Sequence, residues 1–287
     1  VSWKKYRKGG SETRQPKVKS TLQALDVTPT KTRGQNFIID PSVVDSIAQF
    51  GAPQPGEKLV EIGPGLGALT ERLAPFGNLA VIEIEEKFCA ELATKYPQLE
   101  IINEDVRLVD FAEIGQDLVV FGNLPYSFST DIIFHLIAFS GSIKRAVLML
   151  QKEFAERVAA PPGGKSYGVL SVSCQLSCDA RLGPIVPGNA FHPPTAVDSQ
   201  VLELTFPKTP RYPVDDLYWV KRVVSASFVM RRKMLKNSLR ASKIAAGDQI
   251  DKAFELCGLD SARRAETLSI PEFIALAAAL RQAGAAG

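Results

Sequence analysis

Three short stretches of this sequence put chemically useful groups directly after apolar runs. In the first, Val60-Glu61-Ile62 leads into Gly63-Pro64-Gly65-Leu66-Gly67-Ala68, the pattern of a strand entering a glycine turn and then a helix, where backbone amides can approach a ligand closely. Gly63, Gly65 and Ala68 satisfy the spacing of a dinucleotide fingerprint. Glu83 follows Gly63 by twenty residues at the end of the next apolar run, where its carboxylate can accept hydrogen bonds from ribose hydroxyls. A nicotinamide enzyme and an S-adenosylmethionine (SAM) enzyme both use such a pair, and Glu83 can equally be one of three surface carboxylates with Glu85 and Glu86. The second stretch is Asn103-Glu104-Asp105-Val106. Here the carboxylate of Asp105 can accept from an adenine amino group while the amide of Val106 meets a ring nitrogen.

The third stretch is Phe121-Gly122-Asn123-Leu124-Pro125-Tyr126, for which a dehydrogenase has no evident need. An exocyclic adenine amine is a poor nucleophile because its lone pair is delocalised into the ring. The side-chain oxygen of Asn123 and the carbonyl of Leu124 can accept from both N–H groups and draw the nitrogen toward tetrahedral geometry. Pro125 stiffens their placement through its fixed φ, and Tyr126 can stack on an everted base. Unstacking a base costs a few kcal/mol, and stacking on an aromatic side chain, worth about 1–3 kcal/mol, offsets much of that. An ordinary turn after a strand is the competing reading.

These stretches need an α/β scaffold to carry them. Apolar runs rich in Val, Ile and Leu predict strands over Lys58–Ile62, Leu79–Glu83, Glu100–Asn103, Leu118–Phe121, Arg145–Leu150 and Val201–Phe206. Helical patterns alternate with them over Pro41–Phe50, Ala68–Leu73, Glu86–Lys95, Thr130–Phe139 and Lys152–Ala159, as expected for stacked βα units around a mostly parallel sheet. Asp40-Pro41 is a helix start, with a carboxylate able to cap first-turn amides and a proline that loses no needed donor. In Tyr167–Cys178 the spacing of Val169, Val172 and Leu176 suits a helix while the serines and β-branched residues also suit a strand; the helix is preferred, followed by a strand near Ala180–Val186. Three prolines between Pro207 and Pro213 mark a linker, and only helical patterns follow: Asp215–Phe228, Arg232–Ala241, Ile250–Cys257 and Pro271–Gln282. The expected division is a basic mobile arm over 1–33, an α/β domain over 34–207 and a small all-helical domain over 208–287.

Composition agrees with this plan. The chain of 287 residues is 45% hydrophobic and 23% charged, which excludes a fibrous or disordered class. No apolar run reaches the roughly 18 residues that span a bilayer, and the first residues lack a signal-peptide core, so a cytoplasmic protein without membrane contact is expected. Four cysteines without a CxxC, and only His135 and His192, argue against a metal site. The net charge of +3 conceals two basic segments, 1–35 and 208–240, each +7, flanking a body of −11. That distribution suits a polyanion gripped from two sides, since phosphate neutralisation supplies most non-specific nucleic-acid affinity. In the second segment Arg231, Arg232, Lys233 and Lys236 are the candidate phosphate contacts, with a solvated helix face as the alternative.

Taken in order, Gly34-Gln35-Asn36-Phe37-Ile38, Glu61-Ile62-Gly63-Pro64-Gly65-Leu66-Gly67, Asn123-Leu124-Pro125-Tyr126 and Phe191-His192-Pro193-Pro194 resemble the rRNA adenine N6-dimethyltransferases, the KsgA type with its Erm-type relatives. The resemblance covers residues 33 to about 285. It implies a Rossmann-like SAM-dependent methyltransferase domain with a small all-helical C-terminal domain. It also implies that Asn36, Ile38, Gly63, Glu83, Asp105 and Asn123 contact SAM, and that Tyr126 and Phe191 sandwich the target adenine. Phe191 has a second reading, a core aromatic beside a turn. The stretch Phe228–Leu239 is similar to the KsgA type, for which the implied substrate is a pair of adjacent adenosines in the 3′-terminal hairpin loop of small-subunit rRNA, each taking two methyls. An immature small ribosomal subunit is the expected partner, and a monomer is the expected form. Rival expectations are an Erm-type enzyme acting on 23S rRNA and a ribosome assembly factor in which methylation is secondary. The chain departs from the family at Ser127-Phe128, where Asn-Ile is usual, and at Thr195-Ala196, where a third proline and a lysine are common.

Overall fold

The computed structural model describes residues 15–29 and 35–285. Nine strands occur among them: β1 (Phe37–Ile38), β2 (Leu59–Ile62), β3 (Leu79–Ile82), β4 (Glu100–Ile102), β5 (Leu118–Asn123), β6 (Ile143–Gln151), β7 (Asp179–Val186), β8 (Phe191–His192) and β9 (Ser199–Thr205). Seven of them form one sheet in the order β4-β3-β2-β5-β6-β9-β7. The first five of that order run parallel, and β9 is antiparallel to both β6 and β7. Every residue of β2 and β3 is buried, as a parallel strand covered on both faces requires. The order reverses between β2 and β5, and in open α/β sheets ligands bind at the carboxyl ends beside such a reversal.

Register determines what meets at that edge. Ile62 pairs with Ile82 and Gly122, and Ile82 pairs with Ile102. The next residues of the four strands, Gly63, Glu83, Asn103 and Asn123, therefore emerge in one row. Helix Pro41–Gly51 starts as its sequence predicts, with the Asp40 carboxylate accepting from the Ser42 amide at 2.8 Å.

The chain divides into two compact units, and the boundaries differ from the sequence reading. Glu156–Cys178 belongs with the helical unit formed by Thr209 onward, while Asp179–Lys208 stays with the sheet. The reason is apolar: Tyr167, Val172 and Leu176 are buried in one cluster with Trp219, Val223, Phe228 and Phe273. In that unit the expected helices are present, as Val169–Gln175, Leu217–Ser227, Leu235–Ser242, Gly247–Cys257 and Ile270–Gln282. No helix among the described residues is long and apolar enough to cross a membrane.

A second correction concerns the expected mobile arm. Gln15–Ala24 is a helix whose Val18 and Leu22 are buried with Ile39 and Phe88. The spacing of Val18, Leu22 and Leu25 at intervals of four and three carried that signal. Residues 1–14, the remaining cations of the first basic segment, and Gly34 lie outside the described residues.

Candidate active site at the carboxyl edge of the sheet

A cavity of about 600 Å³ opens at this edge, within the range of small-molecule sites. Of the sequence-predicted cofactor residues, Asn36, Ile38, Gly63, Gly65, Glu83 and Asn123 line it, whereas Asp105 and Val106 do not. The loop after β2 is shaped by its glycines. Gly65 has φ +54°, and a Cβ there would come within 3.1 Å of the Phe37 ring.

Glu83 is 6% exposed, and backbone amides hold both of its carboxylate oxygens: Gly65 N–H donates to Oε2 at 3.1 Å and Glu85 N–H to Oε1 at 3.0 Å. Burial raises its pKa despite those bonds. The Asn103 amide donates to the Glu83 carbonyl at 2.8 Å and ties β4 to the same row. Ile84, 60% exposed, gives the cavity an apolar wall beside this carboxylate.

Asn123 ends β5, and its Nδ2 donates to the Asn36 carbonyl at 2.8 Å. Only an N–H can donate to a carbonyl, so this bond assigns the amide and makes Oδ1 the remaining acceptor. The Leu124 amide donates to the Met149 carbonyl at 3.1 Å, extending the ladder past β5, while the Leu124 side chain is buried. Tyr126 opens a short 3-10 turn, Tyr126–Phe128, and its hydroxyl lies 2.7 Å from Ser199 Oγ. Tyr126 is half-buried, tethered through its hydroxyl.

Phe191 does not accompany Tyr126 at the surface. It pairs with Ile38 in the two-strand ladder β1–β8 and is 1% exposed, in one buried cluster with Ile38, Ala48, Phe121 and Val186. Fully burying a phenylalanine is worth about 1.5–3 kcal/mol, and in this structure the ring takes the second of its two readings, a core aromatic beside a turn. The β1–β8 ladder does bring the first and last sequence motifs together, Phe37 opposite His192.

Sequence reasoning quoted Glu61 without giving it a part. It lines the cavity at 2% exposure, accepts from Thr70 Oγ1 at 2.6 Å, and has its pKa pushed up to about 8, first by burial and then by the neighbouring Glu83. Also missed were Lys17, Val18 and Thr21 of helix Gln15–Ala24, which line the same cavity.

The four candidate phosphate contacts separate into two pairs. Arg231 Nη2 donates to the carbonyls of Lys165 and Tyr167 at 2.8 and 3.1 Å, and Lys236 Nζ pairs with Asp251 at 2.7 Å. Those two cations are engaged in holding the helical unit. Arg232 and Lys233 are exposed, and they sit in the turn before helix Leu235–Ser242 rather than on the helix itself.

The residues fit SAM. Two buried carboxylates, Glu61 and Glu83, suit a ligand that carries cationic centres and ribose hydroxyls, and at Gly65 the left-handed backbone and the nearby Phe37 ring disfavour any side chain. Among the described residues no group of three or more His, Cys, Asp and Glu could hold a metal ion.

Fold and site together define a Rossmann-like SAM-dependent methyltransferase with a helical C-terminal part. Two solved structures share the fold: a dimethyladenosine transferase from Plasmodium falciparum (TM-score 0.75, 23% identity, 87% of this chain and 98% of that one) and the 23S rRNA methyltransferase ErmE (TM-score 0.68, 21% identity, 86% and 100%). The family model described as ribosomal RNA adenine dimethylase matches residues 28–282, and the chain belongs to that family. Similar curated proteins named ribosomal RNA small subunit methyltransferase A include those of Geobacter metallireducens (38% identity, 92% of this chain and 99% of the relative) and Proteus mirabilis (40% identity, 86% and 92%).

Proposed function

We propose that this chain transfers methyl groups from SAM to adenine N6 in small-subunit rRNA, converting two adjacent adenosines of the 3′-terminal hairpin loop to dimethyladenosine on an immature small subunit. The observation that carries this reading is the Asn123 amide: its N–H side is held by the Asn36 carbonyl, so an acceptor oxygen remains at the cavity that also contains Glu83. An acceptor fixed in this way costs no reorganisation when an amine binds, the condition under which a polar group contributes most to rate. Asn123 and the Leu124 carbonyl would accept from the target amine, and Tyr126 would stack on the base. Glu83 would hold the ribose of SAM, with Asn36, Ile38, Gly63 and Gly65 forming the walls. SAM supplies an electrophilic methyl on a sulfonium, so the protein's task is positioning rather than strong base catalysis. Arg232 and Lys233 are the cations of the basic run best placed to meet phosphates.

Identity of 38–41% to relatives named for the small subunit supports that substrate over the large one. The test is incubation with radiolabelled SAM and undermethylated small or large subunits, followed by nucleoside mass spectrometry. Dimethyladenosine is expected in small-subunit rRNA, and label confined to large-subunit rRNA would overturn the assignment.

A further inference from the structure

Asp105 stands two residues beyond Asn103, whose side chain is bonded to the Glu83 carbonyl. It follows the strand end from which an adenine acceptor would be supplied, yet it does not line the cavity that holds Glu83. Its oxygens are also taken. Oδ1 accepts from the Arg107 amide at 3.0 Å and from Arg107 Nε at 3.0 Å, while Oδ2 accepts from Nε at 3.1 Å and Nη2 at 2.5 Å. A carboxylate so occupied has little capacity left for an amino group.

The same guanidinium lies 4.4 Å from the centroid of the Phe128 ring. Phe128 closes the 3-10 turn that Tyr126 opens, and Tyr126 is anchored on Ser199. Arg107 thus touches the loop after β4 and the loop carrying the target-base aromatic. Phe128 is one of the two positions where this chain leaves the usual Asn-Ile, so the ring beneath the guanidinium is a departure from the family pattern. The pair is accessible, with side-chain exposures of 38% for Arg107 and 19% for Asp105, and exposed ion pairs change an equilibrium by only about twofold to fivefold. Exchange of one partner for another is therefore inexpensive.

Resting on the methyltransferase reading above, we propose that Arg107 is a positioning residue that couples cofactor loading to RNA binding. It occupies the Asp105 carboxylate until an adenine amino group displaces it, and the released guanidinium then meets an RNA phosphate beside the Tyr126–Phe128 turn. Coupling of this kind is reciprocal: whatever SAM does for RNA affinity, RNA does for SAM affinity.

The experiment measures SAM and S-adenosylhomocysteine affinity by calorimetry, and binding to undermethylated small subunits by filter retention with and without saturating S-adenosylhomocysteine. It uses the full chain and its Arg107→Met, Arg107→Lys and Asp105→Asn variants. Arg107→Met should bind SAM about two- to fivefold tighter, because Asp105 is freed. The same variant should lose the gain in particle affinity that S-adenosylhomocysteine gives the unsubstituted chain, and its salt slope should fall by about one. Arg107→Lys should recover part of that gain, and Asp105→Asn should weaken SAM binding. A merely structural role would weaken both ligands together. Weaker SAM binding by Arg107→Met, or an undiminished cofactor-dependent gain, would overturn the Arg107 assignment alone. No SAM binding by the unsubstituted chain would overturn it together with the proposed function.

Discussion

At the ends of β3, β4 and β5 the polar side chains Glu83, Asn103 and Asn123 are held by backbone groups, whereas the four cations between Arg231 and Lys236 are either engaged with distant partners or exposed. Glu83 is gripped by the amides of Gly65 and Glu85, and Asn123 by the carbonyl of Asn36. Backbone partners of this kind are set by strand register and glycine geometry, and they orient a side chain while leaving ligand-facing capacity. Arg231 and Lys236 have instead spent their charge on the Lys165–Tyr167 segment and on Asp251. A polar group at a sheet edge is thus a better indicator of chemistry than a cation in a basic run.

The comparison breaks most easily at Asn123. If its oxygen is the fixed acceptor for the target amine, Asn123→Ala should lower kcat by roughly 10²–10³-fold, as loss of one preorganised polar group does. The Kd for SAM should rise by less than about tenfold, because only the hydrogen bond to Asn36 is lost on that side. Single-turnover methylation and calorimetry separate the two quantities, and a variant that keeps its rate would remove Asn123 from the chemistry.

Glu61 sharpens the comparison within the same edge, because this buried cavity carboxylate is held by a side chain, Thr70, and carried up to about 8. In the unfolded chain its carboxyl ionises near 4.5. The buried acid therefore contributes its full stability below about pH 4.5 and loses it as pH rises toward 8, an effect of several kcal/mol, about 4, in the simplest linkage account. Glu61→Gln should flatten the fall in denaturant-measured stability between pH 5 and 8. A cationic ligand in the cavity favours the ionised form, so SAM binding at pH 7 should release a proton, detectable as a dependence of binding enthalpy on the buffer. Glu61→Gln should release none, and equal enthalpies in all buffers for the unsubstituted chain would sink this role.

Legibility followed the same physics. The strands and the row Gly63, Glu83, Asn103 and Asn123 could be read because apolar runs and glycine turns are local signals, and level strand ends then bring residues twenty apart into line. Phe191 was legible as an aromatic beside prolines, but its burial depends on Ile38, more than 150 positions away. The saturation of Asp105 by Arg107 is local, yet the ring that holds the guanidinium comes from the Tyr126–Phe128 turn. Helix Gln15–Ala24 was hidden by its polar composition, since among its residues with described burial Val18 and Leu22 alone are buried in the cluster with Ile39 and Phe88. The Glu156–Cys178 segment was assigned to the sheet domain by chain order, and only the apolar cluster around Trp219 shows where it belongs.

The smallest effects fall on the basic run, where the comparison makes opposite forecasts for neighbouring residues. Arg231→Ala removes two hydrogen bonds to carbonyls that fix the Lys165–Tyr167 segment, so it should cost about 1–2 kcal/mol in unfolding free energy. Arg232→Ala and Lys233→Ala should leave stability within about 0.5 kcal/mol, because both side chains are exposed in a turn. Their effect should appear in binding to the small subunit, with the slope of log affinity against log salt falling by about one for each charge removed. SAM affinity should not change in any of the three. If Arg231→Ala flattened the salt slope as much as Arg232→Ala while leaving the melting temperature unmoved, its contacts to the two carbonyls would be dispensable. The distinction between an engaged cation and an available one would then fail, because a guanidinium can leave two carbonyls for a phosphate only if those carbonyls find water at little cost.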